Sequence, residues 1–543
     1  MNLAANPFHA GELKAQARAG AKDVAHWAAG FIRSFMPDQH REFFSQLPFL
    51  VLAGADDKGR HWVTLLDGPL GFVRSPDAKT LTVEADPDPQ DPLGAVLTRG
   101  TEIGMLGIEL ATRRRNRLSG TTRHRERGFA IDIRQSFGNC PQYIHERAWR
   151  RTPGGDVPVA RHSDTLTDDQ IARVRAADTL FIGTGQPGRA DDASSGFDAS
   201  HRGGEPGFVV VEDPTRLRIP DYAGNNFFNT IGNLLENPRI GVVFVDFDTG
   251  GLLHVTGRAT IDWEAADSLD QSALRMIEIT IEAVLDRPSA LSLRWLKDDA
   301  DVRELVVTKK VIETDEITSF HLADAEAAPL EAFEAGQHLP IELEIPGQRG
   351  MVRRTYSLSS APDADTYRLS IKREPQGLAS RYLHDTVGVG HRIRARRPSG
   401  DFVVPCSNCP LVLVSAGVGL TPMLSMLHAA ASQGGNRRVW YVHGARNGSQ
   451  HAMKGEVETL VRDRTTLSAH VLYSRPEEMD RLGLDYHGRG HVTAETLMAM
   501  NAGPEARYML CGPAGFLADI RTGLEQAGVP AQHIHFETFG PAG

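Results

Sequence analysis

Cysteine is scarce in this chain: Cys140, Cys406, Cys409 and Cys511 are the only four in 543 residues. So few cannot staple a disulfide framework, and a reducing cytoplasm is the expected compartment. Cys406 and Cys409, in "CSNC", have no second pair to complete a four-ligand zinc or cluster site. No HExxH motif occurs either, and no metal is expected. Long apolar runs are missing as well. Nowhere do about 18 apolar residues follow one another, as a membrane helix requires, and the first twenty residues lack the apolar core of a signal peptide. Positive charge is in deficit, with 59 Lys and Arg against 69 Asp and Glu. A nucleic-acid partner is therefore not expected, despite the basic run "TRRRNR" (Thr112 to Arg117).

What remains has the composition of an ordinary globular protein, too long for a single core. The N-terminal half carries an internal repeat. "IGMLGIELATRRRNRLSG" from Ile103 aligns without a gap on "IGVVFVDFDTGGLLHVTG" from Ile240. "GPLGFV" from Gly68 aligns on "GEPGFV" from Gly204, and "KTLTV" from Lys79 on "TRLRI" from Thr215, all at an offset of 136 or 137 residues. Both copies read as short strands broken by Gly and Pro turns, which predicts a small closed or half-closed β-barrel present twice. Tandem copies let one chain build a two-fold interface, and the sequence leaves the oligomeric state open, with a dimer compatible. "RRTPGGDVPVARHSD" (Arg150 to Asp164) reads as a linker between them. "DDQIARVRAADT" reads as a helix leading into the second copy, and "DSLDQSALRMIEITIEAVLDRPSAL" as a helix closing it. The expected domains are 1–150, 151–300, 301–406 and 407–543: two barrels, an antiparallel β domain, and an α/β domain with a parallel sheet.

Two stretches of the C-terminal half carry chemistry. In "RRTYSLSS" (Arg353 to Ser360) a strand places Arg354, Tyr356 and Leu358 on one face and Thr355, Ser357 and Ser359 on the other. "GLASRYLHD" follows about twenty residues later. In "LVLVSAGVGLTPMLSMLHAA" (Leu411 to Ala430) a buried strand meets a Gly417-x-Gly419 turn, and a helix opens with Thr421 as N-cap and Pro422 at its first position. A helix start of that kind binds phosphate, and glycines let the backbone come close to it. The spacing is not GxGxxG. "RVWYVHGARNG" and "SAHVLYSRPEE" are further strands with polar tips; Ser474 and Arg475 suit a ribose 2′-phosphate, which predicts NADPH with NADH as the alternative. In "YMLCGPAGF", Cys511 faces the crevice or is a small core cysteine.

Taken with "IKRE", "HGARNG", "CGPAGF" and "HFETFGPAG", these motifs resemble the ferredoxin–NADP reductase superfamily, in particular the reductase half of flavohaemoglobins, over about Val302 to Gly543. The resemblance implies that Arg354 holds the FAD pyrophosphate, Tyr356 stacks on the flavin and Ser357 bonds near its N5, with Thr355 beside them. It places Gly377, Ala379 and Ser380 at the FAD phosphates and His338 against the flavin. Thr538, Phe539, Gly540 and Pro541 would also lie against the flavin, with Glu537 near the reacting centre. Ala416, Gly417, Val418, Gly419, Leu420, Thr421, Arg446, Gly512 and Pro513 would hold the nicotinamide nucleotide together with Ser474, Arg475 and Cys511. Ser357, Cys511 and Glu537 are the expected catalytic groups.

The N-terminal repeats resemble pyridoxamine-phosphate-oxidase-like split barrels, on "SFGNCPQYI", "DASHRGGEPGFV" and "DYAGNNFFNTIGNLLENPRIGVVFVDF". That resemblance implies a possible FMN site at Ser200, His201, Arg202, Asn226 and Thr230, although members also bind haem or other cofactors. "TRRRNR" and the triplet Ser200-His201-Arg202 read as a phosphate cradle, with a solvated basic turn as the alternative, and Phe227 and Phe228 read as core. The expectation is hydride transfer from NADPH to FAD, then electron passage to FMN or haem in the barrels or to an external iron–sulfur or haem protein. The alternatives are an NAD(P)H oxidase making peroxide and a flavin- or haem-binding sensor with a vestigial reductase. No C-x4-C-x2-C pattern is present, so either a C-terminal [2Fe–2S] domain belongs to a longer chain or the acceptor is a separate redox partner protein; with no globin half present, nitric-oxide dioxygenase activity is not expected.

Overall fold

The computed structural model describes residues 6–21, 24–28, 31–138, 142–152, 158–186, 194–265, 273–297, 302–348, 351–400, 402–404, 408–433, 436–462 and 464–538. It divides into two compact units, Met1–Asp298 and Asp299–Gly543. No helix among the described residues is long and apolar enough to cross a membrane.

The first unit holds two antiparallel sheets with one topology. In each, counting strands along the chain, the order from edge to edge is second, first, fifth, sixth, seventh, fourth, third. A nine-residue helix precedes each sheet, Asp38–Gln46 and Asp168–Ala176. The aligned segments coincide with matching strands: Glu102–Glu109 and Arg114–His124 in one copy, Arg239–Val245 and Leu252–Asp262 in the other. Both copies also slip register at one matching place, Ser119/Gly120 and Thr256/Gly257. At those two glycines a β-carbon would strike the neighbouring strand's carbonyl oxygen, of Asp132 and Thr280 respectively, so each bulge requires glycine.

The two copies meet reciprocally. A β-carbon on Gly104 would sit 2.6 Å from Asp198 Cα, and one on Gly241 would sit 2.6 Å from Trp62 Cα. Each contact joins the fifth strand of one copy to the second strand of the other, the arrangement of an isologous interface within one chain. Phe49, Val51, Phe181, Val243 and Trp295 share the core that lies there.

Two expectations are corrected. The segment read as a closing helix is a strand, Arg275–Arg287, paired on both sides. Its Ile277-Glu278-Ile279-Thr280-Ile281-Glu282 alternation has period two, with the isoleucines buried, and β-branched residues favour that geometry. The stretch read as a linker contributes strands at both ends: Arg147–Arg151 pairs with Leu293–Lys297, and Arg161–Ser163 with the long strand Arg275–Arg287.

The second unit holds a six-stranded antiparallel sheet and a six-stranded parallel one. In the parallel sheet Leu411–Ala416 is central and almost wholly buried, as befits a strand covered on both faces. The chain leaves it toward Val439–Ala445 and Leu467–Tyr473 on one side. It later returns to Arg507–Gly512 and Ile534–Thr538 on the other. The order therefore reverses at the end of Leu411–Ala416, which makes that end the place for a nucleotide.

Candidate functional site

At that switch point Ala416 passes into a short 3-10 turn, Gly417–Gly419, which runs on into the helix Leu420–Gln433. The expected N-cap is corrected: Thr421 lies inside the helix, its hydroxyl donating back to the Val418 carbonyl at 3.1 Å. Pro422 is the third helical residue, where its missing N–H has no intrahelical partner to lose. The two glycines do different work. Gly417 has φ +55° and open space where a side chain would stand. Gly419 is pressed against the Cys511 carbonyl and the Gly512 nitrogen, so its role is packing helix on strand. No acidic residue and no capping side chain occupies this helix start. Its N–H groups and dipole fit a phosphate. Pro513 N-caps the helix Ala514–Gln526 without a side-chain bond.

Arg446 and Arg475 follow adjacent parallel strands, and the Arg475 N–H donates to the Arg446 carbonyl at 2.7 Å, which sets their backbones side by side. Both side chains are exposed, and neither has an ion-pair partner among the described residues. Ser474 is half-buried next to them, its N–H bonded to Ala445. Two free guanidiniums and a hydroxyl fit a ribose phosphate.

On the antiparallel sheet the strand Val352–Ser357 pairs with His338–Leu343, with Ser357 opposite His338, Tyr356 opposite Leu339 and Thr355 opposite Pro340. The two adjacent arginines separate cleanly. Arg353 Nε donates to buried Glu342 at 3.1 Å, which also receives Arg396. Among the described residues Arg354 bonds through NH1 alone, to the Arg353 carbonyl at 2.8 Å. Arg354 is thus the one available for an anion. Tyr356 packs against the sheet's core, and burial pushes its hydroxyl up to about 12, so the ring is a neutral face. Gly377 N-caps the helix Leu378–Asp385, again with no acidic first turn and no capping side chain, and with Ala379 and Ser380 buried in that turn. These features fit FAD: a fork for pyrophosphate, an aromatic face, a hydroxyl and a helix start.

The two cradles converge. Ser415, Cys511 and Glu537 lie in register across three parallel strands. Glu537 Oε1 approaches His338 Nδ1 at 3.8 Å, and His338 is the register partner of Ser357. Glu537 Oε2 is buried with no partner among the described residues, an acceptor that a ring N–H would satisfy. Cys511 is sealed in the core of the parallel sheet; burial first, and then Glu537's charge, push its thiol well up. It is a protonated, compact neighbour and not a thiolate nucleophile. Thr538 ends the last strand opposite Gly512. Phe539, Gly540, Pro541 and Cys406 lie outside the described residues.

In the first unit the residues read as a phosphate cradle bond mainly to one another. Thr230 donates to Ser200 at 3.1 Å, and Ser200 to Asp198 at 3.1 Å. Arg202 faces Asp221 at 3.3 Å, and Arg117, from the other copy, faces Asp198 at 3.2 Å. His201 is buried beside Arg115, and burial drives its imidazole well down, so it is neutral. Asn226 stands at φ +59° in the loop before the helix Asn229–Glu236. Sequence reasoning did not anticipate the polar chain that ties these residues to the N-terminal segment, in which His9 meets Asn233 at 2.9 Å across 224 positions. Nothing local in the sequence signals such a pair.

Comparison with known proteins agrees with the second unit's geometry. Residues 304–404 match the family described as oxidoreductase FAD-binding domain, and residues 413–522 the family described as oxidoreductase NAD-binding domain. A flavohemoprotein of Bacillus cereus (strain ATCC 10987 / NRS 248) is 41% identical over 248 residues, which are 45% of this chain and 62% of that protein. A flavohemoprotein of Deinococcus radiodurans is 40% identical over 242 residues, 45% of this chain and 60% of its own length. Among solved structures, the FAD/NAD-binding domain of nitric oxide dioxygenase from Vibrio cholerae O1 biovar El Tor is 33% identical. It covers 44% of this chain and 100% of its own, with a TM-score of 0.40. The matched part is less than two thirds of those flavohemoproteins' length, and neither family match reaches residues before 304.

The fold and site therefore define an FAD- and NAD-binding oxidoreductase. More narrowly, the C-terminal half is similar to the FAD- and NAD-binding part of flavohemoproteins.

Proposed function

We propose that the chain transfers hydride from NADPH to FAD and passes the electrons to a separate iron–sulfur or haem protein. The observation that carries this reading is the series Ser415, Cys511, Glu537, His338 and Ser357, joined by strand register and by the 3.8 Å approach of Glu537 to His338, which links the nucleotide crevice to the flavin motif. Bound FAD supplies the link between a two-electron donor and one-electron acceptors. The chain's residues orient and charge-match the two ligands. Arg354 and the Gly377 helix start hold the dinucleotide's phosphates, and Tyr356 offers its face to the ring. The Gly417 turn seats the nicotinamide nucleotide, while Ser474, Arg446 and Arg475 select the 2′-phosphate.

A separate acceptor protein is favoured over FMN or haem in the N-terminal unit because Ser200, Thr230, Arg202 and Arg117 already face internal partners. On this reading the repeats are split barrels (1–150 and 151–300) that serve as a docking platform for the acceptor.

Purified protein should be yellow and release FAD alone on denaturation. Anaerobic NADPH should bleach it, and cytochrome c or ferricyanide should support turnover under nitrogen. Turnover confined to air, with peroxide formed, would mean an oxidase. Failure to reduce the flavin would mean a binding module. Release of FMN beside FAD would restore the internal relay.

A further inference from the structure

One guanidinium is bonded at once to the flavin side and the nucleotide side of the second unit. Arg368 lies on the strand Tyr367–Lys372 of the antiparallel sheet and is buried. Its Nε donates to Ser359 Oγ at 3.1 Å and its NH2 to the Ser359 carbonyl, two residues beyond Ser357. NH1 and NH2 also make a parallel pair of bonds to Glu456, at 2.8 and 2.9 Å. Glu456 belongs to the helix Lys454–Val461 of the α/β part. Its Oε1 accepts a third bond, from His428 Nε2 at 2.5 Å, and His428 sits on the helix Leu420–Gln433 that begins at the Gly417 turn. Behind Ser359 the hydroxyls of Ser370 and Ser319 continue the chain at 2.8 Å each, anchoring it in the sheet.

We infer that Arg368, Glu456 and His428 form a positioning clamp that holds the nicotinamide helix at its working distance from the flavin strand. Three side chains connect the segment after Ser357 to the helix after Gly419, and none of the three bonds to Ser415, Cys511, Glu537, His338 or Ser357. The bonds are directional. A two-pronged guanidinium–carboxylate pair fixes orientation as well as separation, which a single lysine contact does not. Hydride transfer is sensitive to that separation: a displacement of about 1 Å can cost roughly a hundredfold in rate. The inference rests on the hydride-transfer reading above.

The test uses the full FAD-loaded chain and three variants, Glu456→Gln, Arg368→Lys and His428→Gln, followed anaerobically by stopped flow with NADPH. Glu456→Gln and Arg368→Lys should each slow flavin reduction about tenfold or more while the NADPH dissociation constant stays within about twofold, the pattern of lost orientation and not of lost binding. The long-wavelength absorbance of the stacked nicotinamide–flavin pair should weaken in step. His428→Gln keeps a donor to Glu456 and should stay close to the wild type. In the chain without FAD, the amides of Lys454–Val461 and of residues 359–368 should exchange faster in Glu456→Gln, with the rest unchanged. Should both Glu456→Gln and Arg368→Lys reduce flavin at the wild-type rate with unaltered absorbance, the clamp is overturned, even if their melting temperatures fall. A wild-type chain whose FAD is never reduced would overturn the hydride reading first and the clamp with it.

Discussion

Gly419 lies directly against the carbonyl group of Cys511, where a β-carbon would overlap both the oxygen and the carbon. Its neighbour two residues earlier, Gly417, faces open space at φ +55°. The two glycines of the turn therefore fail in different ways. Gly419→Ala should destabilise the parallel sheet by about 1–3 kcal/mol, as forced overpacking does, and lower the melting temperature. Gly417→Ala should cost about 1 kcal/mol for the left-handed backbone. Its methyl would project into the mouth of the helix, so its larger effect should be a raised KM for NADPH. Calorimetry and initial-rate kinetics on the pair separate packing from ligand approach.

The adjacent arginines of the flavin motif make a second internal control. Arg353 is held by Glu342, whereas Arg354 has no carboxylate among the described residues. Arg354→Ala should weaken FAD retention by roughly 10–100-fold, the equivalent of one charge-assisted hydrogen bond at about 1.5–3 kcal/mol. Arg353→Ala should leave FAD bound, because Arg396 still faces Glu342 at 3.1 Å. The ratio of flavin to protein absorbance after gel filtration reads the difference. Equal loss in both variants would remove Arg354 from the pyrophosphate.

Much of this was legible from local pattern. The alternation in "RRTYSLSS" placed a strand that the structure gives as Val352–Ser357, and the apolar run ending at Gly417 placed the central parallel strand. The repeat was legible because turn glycines and strand spacing survive when side chains do not. Pattern failed where one segment satisfied two periods. Asp267 to Leu291 has enough Leu, Ile and Ala to read as a helix, yet the Ile-Glu-Ile-Thr-Ile core pairs on both flanks, and tertiary pairing overrode propensity. It failed also where the partner is remote. Arg368 and Glu456 are 88 positions apart, and neither stands in a recognisable motif.

Buried histidines give the first unit a pH dependence with a definite sign. His254 Nδ1 donates to the Val63 carbonyl at 2.8 Å, and burial, reinforced by Arg287, lowers its imidazole to about 3. His61 is lowered to about 4, again chiefly by burial. Both are neutral when folded and take protons near 6.5 when unfolded. Their stability is therefore fully present above pH 6.5 and falls as pH drops toward 4, by up to about 1.4 kcal/mol per pH unit for each proton. His254→Gln should flatten that slope by about one proton. Urea unfolding at pH 5 and pH 7 would show it, and an unchanged slope would mean that His254 is charged in the folded chain.

Cofactor choice turns on the exposed tips of two parallel strands. The Arg475 N–H holds the Arg446 carbonyl, and Glu477, the nearest acid in sequence, is engaged by Asn447 at 2.7 Å and Ser449 at 3.1 Å. On the proposed reading, with one oxygen of that carboxylate engaged, the arginines meet the 2′-phosphate. Arg475→Ala should lower kcat/KM for NADPH by roughly tenfold or more while changing NADH less than about threefold, since only the phosphate ester meets the guanidinium. The preference should also weaken as salt rises, because both tips are exposed. Equal losses with both nucleotides would place Arg475 at the shared pyrophosphate, and no loss with either would return these arginines to the solvent.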